Sequence, residues 1–320
     1  MNKMQSIVFS LMVAAATASA GVSPALLNLV MPDATVVSGM NVDQSVTSPF
    51  GQYILSQMQF NDSGFLQFIS ATGFDPRKDL HEIVAATPSA GSSTTHTALI
   101  LGRGVFNVAM IVSSATTEGA VITNYKGFNL IGPPPSQSND PVALVFLDGA
   151  TAAMGDSASV KAAIDRKIAG ATFTGALAQT AIQVSASNSV WFATNTPLSD
   201  FMSSRPGTNL GPVAQAGLIQ NITSASGGVQ FGSTAITVSA DAVANTPQNA
   251  QALVDVMKFF VSMIAGNANA PAGVTSVANS AQFSVNGSTA HISLLLPEAQ
   301  VEQLLMPQAG KKKSRSAAQR

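Results

Sequence analysis

The densest group of chemically capable side chains is the run DPRKDLHE, Asp75 to Glu82. Asp79 and His81 alternate, so on a strand both side chains leave one face, as a carboxylate and an imidazole must to share a metal ion. His81-Glu82 also opens the zinc-binding pattern H-E-x-x-H. The fifth position is Ala85, so the second histidine is missing. A charged turn leading from helix to strand accounts for the cluster without a ligand: Pro76 forms the turn, and Arg77 and Lys78 are solvated partners of the acids. No metal ligand is assigned.

The chain has three histidines, His81, His96 and His291, and no cysteine. A Ser-His-Asp relay needs a histidine between a serine and an orienting acid, and serine is too abundant here for the sequence to select one. No G-x-S-x-G elbow occurs. The S-x-x-K pattern fails because Ala158 stands three places before Lys161. His96 and His291 lie in strand patterns between Thr, Ala and Ile and are read as structural or surface positions. LGRGVFN (101–107) has Gly102 and Gly104 but Asn107 where a dinucleotide fingerprint needs a third glycine. Asn61, Asn221 and Asn286 each begin an N-x-S/T pattern, and Asn286 is better explained as a turn residue. Acids are too sparse to nominate a carboxylate pair for sugar hydrolysis. No catalytic residue and no cofactor is assigned.

These residues sit in a chain of 320 residues, 46% hydrophobic and only 10% charged. The first twenty, MNKMQSIVFSLMVAAATASA, carry Lys3, an apolar stretch from Ile7 to Ala18, and a small-x-small site at Ala18-Ser19-Ala20. That is a secretory signal peptide, with cleavage after Ala20 expected. The mature chain is then exported, periplasmic or extracellular, with no membrane-spanning segment left. About 300 mature residues bury enough apolar surface without disulfides. The mature body up to residue 310 has nine bases against sixteen acids, a net −7. This argues against nucleic-acid binding, which needs a basic surface. The end, KKKSRSAAQR, is a basic tail expected to be disordered over 309–320. Its Lys311, Lys312, Lys313 and Arg315 are the candidate contacts to an anionic lipid or polymer surface.

Hydrophobic periodicity places the elements. In the first half, Ala34–Met40 reads as a strand, Ser48–Met58 and Phe65–Ala71 as helices, and 82–86 and 95–101 as strands. Residues 105–115 are ambiguous between helix and strand, and the flanks favour a helix. AVITNY, FNLIG and VALVFLDGATAAMG are strands, the last turning at Asp148-Gly149 in a type I′ hairpin. Ser157–Ala169 closes the half as a helix capped by Ser157. In the second half, 190–194 is a strand, Pro197–Ser203 and Val213–Thr223 are helices, and GVQFG and AITVSADAV form a hairpin. Pro247–Ala265 is a helix, AQFSVNGSTAHISLLL a hairpin turning at Asn286-Gly287, and Pro297–Met306 the last helix.

Each half thus runs strand, two helices, hairpin, helix, hairpin, helix, with one extra strand pair in the first. GFLQFISATG (64–73) returns as GLIQNITSASG (217–227). The expected architecture is α+β: two similar lobes from internal duplication, 21–175 and 176–308, with mostly antiparallel sheets and helices packed on one face. The Gly/Ala/Ser/Thr-rich stretch 170–188 holds the boundary. Pro247–Ala265 is apolar all round, which predicts burial on all sides. It is also a candidate subunit interface, making the chain a homodimer.

At ATGFDPRKDLHEIV (71–84) the sequence resembles exported bacterial proteins of unknown function that carry a Gly-Phe-Asp-Pro turn after a helix. That resemblance implies no activity and carries over no residue. Two functions stand as expectations. The first is a non-catalytic envelope protein, a binding or scaffolding module for a macromolecule or ligand, favoured by the scarcity of His, Cys and clustered acids. The second is a serine- or carboxylate-dependent hydrolase with residues drawn from separate segments.

Overall fold

The computed structural model describes residues 21–57, 63–88, 98–133, 142–197, 218–267 and 272–305. The chain enters through a short helix, α1 (Pro24–Leu27), and strand β1 (Ala34–Asn41). Helices α2 (Val42–Thr47), α3 (Pro49–Gln57), α4 (Ser63–Thr72) and α5 (Pro76–Asp79) then lead to β2 (Leu80–Pro88) and β3 (Leu99–Gly104). Helix α6 (Val108–Thr117), β4 (Val121–Tyr125), β5 (Phe128–Gly132), β6 (Val142–Phe146), β7 (Thr151–Asp156) and α7 (Ser157–Ala169) complete the first half. The second half comprises α8 (Ala176–Ser187), β8 (Val190–Thr194), a 3₁₀ turn (Leu218–Asn221), β9 (Ile222–Phe231) and β10 (Ala235–Ala244). Helices α9 (Pro247–Ala265) and α10 (Ala272–Asn279), the hairpin β11 (Gln282–Asn286) and β12 (Thr289–Pro297), and α11 (Glu298–Leu305) end it.

The strands form one sheet of twelve, ordered β11-β12-β10-β9-β8-β1-β2-β3-β7-β6-β5-β4, with every pairing antiparallel. The α+β class and the antiparallel sheet are as expected. The halves do not build separate sheets, because β1 pairs with β8 from Val36↔Thr194 to Met40↔Val190. Outward from that pair, the order reads β1-β2-β3-β7-β6 on one side and β8-β9-β10-β12-β11 on the other.

Alternation along strands assigns the two faces. The cross-strand row Trp191–Gly39–Val84–Leu101–Ala153–Val145 lies on one of them. Its side chains are buried under Leu26 and Leu27 of α1, Val160, Ala163 and Ile164 of α7, and Leu177 and Ala181 of α8. The neighbouring row Met40–Ile83–Gly102–Ala152–Phe146 points the other way, toward α4 and α6. A second cluster, Ile222, Ala244, Ala250, Leu253, Val254 and Ala290, joins α9 to the sheet. Counting register from Met40 across β8, β9 and β10 puts Ala242 and Ala290 on the same face as Ile83. Helices therefore cover both faces, not one. The Ala/Ser-rich stretch near residue 180 is helix α8 and contributes to the core.

The segment after the expected cleavage site is tied into this core. Val22 N donates to Ser185 Oγ (2.9 Å), Ser23 N to Glu82 Oε1 (2.8 Å), and Phe173 N to Asn28 Oδ1 (3.1 Å). The Arg166 guanidinium donates twice to the Leu29 carbonyl, at 3.0 and 2.8 Å, and burial lowers its pKa.

Several local expectations change. Asp156, not Ser157, caps α7 by accepting from Ser159 N. Asp148-Gly149 is not a type I′ turn: Gly149 is absent from the positive-φ positions, and Leu147 N closes a longer loop onto Thr151 O. The two-residue turn with both φ positive is Lys126-Gly127 (51° and 89°). The returning motif does not return as structure, since 64–72 is helical whereas Ile222 onward is strand β9. The expected helix at Val213–Thr223 is, within the described residues, a 3₁₀ turn and the start of β9. The Pro197–Ser203 helix falls at 198–217, outside the described residues apart from Pro197. Helix α9 is not buried all round. It buries Ala250, Leu253 and Val254, whereas Phe259, Met263 and Ile264 are exposed.

The extra hairpin β4–β5 is fastened to α7 through Asp165, which accepts from Lys126 Nζ (2.7 Å) and Tyr125 OH (3.1 Å). The Lys126 hydrogen bond, and then Tyr125, hold the Asp165 carboxyl below the ordinary value; Arg77 does the same chiefly by hydrogen bonding for Asp75. A carboxyl whose folded pKa is depressed adds stability above its unfolded value of about 3.9, and that stability fades as pH falls through the folded value. Thermal midpoints should therefore hold from neutral pH down to about 5 and then drop. Asp165→Asn should flatten the acid limb; equal limbs in variant and wild type would contradict this.

Candidate functional site

The charged run Asp75 to Glu82 resolves into structural roles once its side chains are placed. Asp75 caps α5 by accepting from Arg77 N and pairs with the Arg77 guanidinium at 2.7 Å, while Asp79 Oδ2 accepts from Asp75 N. His81 Nδ1 meets Asp43 Oδ1 at 2.8 Å, and Glu82, 8% exposed in its side chain, pairs with Arg103 Nε at 3.1 Å. The cluster is thus divided among separate partners rather than converging. Among the described residues, no three His, Asp or Glu side chains are grouped to hold a metal ion.

His291 Nδ1 meets Asp241 Oδ1 at 2.7 Å, and Ser284 is its register partner on β11. Both histidines are partly open to solvent, 28% and 40% exposed in their side chains. His96, Asn61 and the basic residues Lys311, Lys312, Lys313 and Arg315 lie outside the described residues. Asn221 Oδ1 accepts from Asn245 Nδ2 (3.2 Å), and Asn286 pairs with Thr289 across the β11–β12 turn.

The two glycines of LGRGVFN occupy separate structural places. Gly104 lies so close under the Asp79 carbonyl that no Cβ fits. Gly102 is part of the floor of a cavity of about 300 Å³ between the sheet and helices α4 and α6. Its elements are built locally. Helix α4 stops at Gly73, whose φ of +66° suits glycine. Asn107 starts α6 by accepting from Met110 N.

The cavity floor is Ile83, Ile100, Gly102, Leu144, Ala152 and Met154, and its cover is Phe68 and Thr72 of α4, Phe74, Phe106 and Ile111. The rings form a run: Phe68–Phe74 at 6.5 Å, Phe74–Phe106 at 5.4 Å, and Phe106–Phe146 at 5.2 Å. The Thr72 hydroxyl donates to Phe68 O and accepts from Phe74 N. Phe68 (45%), Ile100 (37%) and Met154 (39%) are exposed at the mouth. Neither α4 nor α6 seals the space, for α6 has no buried residue and α4 buries only Thr72. Apart from the Thr72 hydroxyl, already bonded within its own turn, the lining residues carry no nucleophile, titratable group or ion pair. What it offers is apolar surface shielded from water, suited to binding.

Sequence alone does not reveal this site. Its rings come from separate segments.

No protein-family model matches the chain. No curated protein matches it either. Among solved structures it is similar to crystal form III of TP0453, with a TM-score of 0.54 at 11% identity over 88% of this chain and 97% of the other. Crystal form IV of the same protein gives 0.50 at 10% identity, over 89% and 97%. Similarity at this identity shows the shared fold.

Proposed function

We propose that the chain is an exported, non-catalytic binding protein that holds an apolar ligand in the cavity beneath α4 and α6. The observation that carries this reading is an open, apolar cavity whose one hydroxyl side chain, Thr72, is already satisfied within its own turn. An unfilled apolar space costs packing energy, so a protein that maintains one gains by filling it with something else.

The mirrored strand order supports the reading further, and with it an internal duplication. On that correspondence β2, β3, β6 and β7 match β9, β10, β11 and β12, and α6 matches α9. At the matching place in the second half, Leu253 and Val254 of α9 fill the space against Ala244 and Ala290. In the first half the matching place is the open cavity. Export is supported by the leader pattern, and Val22, buried in the core, follows the expected cleavage site by two positions. No helix among the described residues is long and apolar enough to cross a membrane. The hydrolase alternative has less support, because His81 and His291 each pair with one aspartate and neither lines the cavity.

Titration with the apolar fluorophore N-phenyl-1-naphthylamine tests the reading. Wild type should show saturable enhancement at one site. Ala152→Phe, which fills the floor, should lose it while keeping its circular dichroism spectrum. Equal enhancement in both proteins, or none in wild type, would overturn the proposal.

A further inference from the structure

Resting on the reading that the cavity holds an apolar ligand, we infer that this ligand is a single-chain amphiphile: one unbranched aliphatic chain occupies the cavity and its polar head stays in water.

Polarity decides where the head goes. A carboxylate, hydroxyl or phosphate placed inside would find no free donor, since the Thr72 hydroxyl is committed to Phe68 O and Phe74 N. Burying such a group without partners is strongly unfavourable. The mouth at Phe68, Ile100 and Met154 is open to solvent, so a head outside keeps its hydration.

Size sets the number of chains. About 300 Å³ stands at the small end of ligand cavities, which leaves no room for the second chain of a bilayer lipid.

Shape separates a chain from a flat ring system. Successive rings in the Phe68–Phe74–Phe106–Phe146 run are turned by 84°, 32° and 54°. No two neighbours are parallel walls into which a planar ligand could slot. Together they make one uneven apolar surface that runs from α4 to Phe146 on the sheet, beside Gly102 and Ala152, the smallest residues of the floor. Glycine at 102 is not forced by backbone crowding, since a Cβ there would meet only Leu80 Cδ1, at 3.7 Å. What its absence leaves is a trough along the sheet, which a flexible chain fills.

The test is displacement of N-phenyl-1-naphthylamine from the full mature protein by straight-chain carboxylates of increasing length, each below its micelle concentration. Alkyl sulfates of matched length, naphthalene carboxylate and a short diacyl phosphatidylcholine are run alongside. Carboxylate affinity should rise about fourfold per methylene and level off once the chain fills the cavity. Sulfates should match carboxylates of equal length, and the diacyl lipid should compete poorly. Gly102→Val, which adds a branched side chain to the floor, should move the plateau to a shorter chain; Ala152→Val gives the same readout should Gly102→Val not fold.

Affinity independent of chain length, an unmoved plateau in a folded floor variant, or stronger competition by naphthalene carboxylate would overturn the inference. Failure of the fluorophore itself to bind would overturn the underlying reading. Fluorophore bound but untouched by alkyl chains would overturn the ligand class alone.

Discussion

Trp191→Ala is expected to lower the unfolding free energy by about 3–5 kcal/mol, a large share of the roughly 5–15 kcal/mol that holds a domain together. Trp191 is 4% exposed and sits on β8, the strand that joins the second half to the first. Its indole lies over Gly39 of β1, where a Cβ would come within 2.6 Å of the ring and 2.9 Å of the Ile83 carbonyl. Glycine at 39 and tryptophan at 191 are thus one arrangement: the strand gives up a side chain so that the ring can lie on its backbone. Removing the ring leaves a void at the seam between halves, bordered by Val84 on the next strand. Gly39→Ala attacks the same contact from below and should cost about 1–3 kcal/mol by overpacking. Phe192→Ala, one position along and 39% exposed on the opposite face, should cost far less than Trp191→Ala. Urea unfolding of the three variants reads this ranking. A Trp191→Ala loss no larger than that of Phe192→Ala would contradict the assigned seam.

The second large effect separates two neighbours on β3. Leu99 is fully buried in the core cluster with α1 and α7, and Leu99→Ala should cost about 2–5 kcal/mol. Ile100 points to the other face, 37% exposed at the cavity mouth. Ile100→Ala removes atoms already beside open space and should cost about 1 kcal/mol. The order reverses for binding: Ile100→Ala should weaken the naphthylamine probe severalfold, and Leu99→Ala, at a temperature where it stays folded, should leave it nearly unchanged. Urea melts and probe titrations on the same samples measure both. Equal losses in both assays would mean that β3 does not divide core from cavity.

Much of the fold was legible because the strands alternate and the helices carry stops. The strand read at 82–86 became the middle of β2, and Pro247 at the first turn marked the start of α9. The repeated order of elements was legible only in its strands, which run symmetrically outward from the β1–β8 pair; the helix expected at Val213–Thr223 is instead a 3₁₀ turn and the start of β9.

The returning motif misled for a physical reason. GFLQFISATG and GLIQNITSASG share composition, but Gly227 and Gly228 let β9 lie against Ser239, Asn188 and Val190 so closely that no Cβ fits. Tertiary pairing decides such a segment more than propensity does. Helix α9 misled in the opposite way. An apolar face suggested burial, yet Phe259 is 63% exposed.

The cavity was the least legible feature. Phe68, Phe74, Phe106 and Phe146 come from four separate segments and converge only through sheet register. Nothing in the spacing of an apolar residue tells a core contact from the wall of an empty space. The charged run that drew attention first, Asp75 to Glu82, serves to turn the chain through α5 and start β2 beside that cavity.

The most direct test is methyl NMR of the mature protein titrated with N-phenyl-1-naphthylamine. Shifts should concentrate in Ile83, Ile100, Ile111, Leu144 and Met154, which line the cavity. Leu26 and Ile164, buried on the opposite face, should barely move. Shifts confined to Met263 and Ile264 on the exposed end of α9, or no shifts at a saturating probe concentration, would contradict the assignment of the cavity as the binding site.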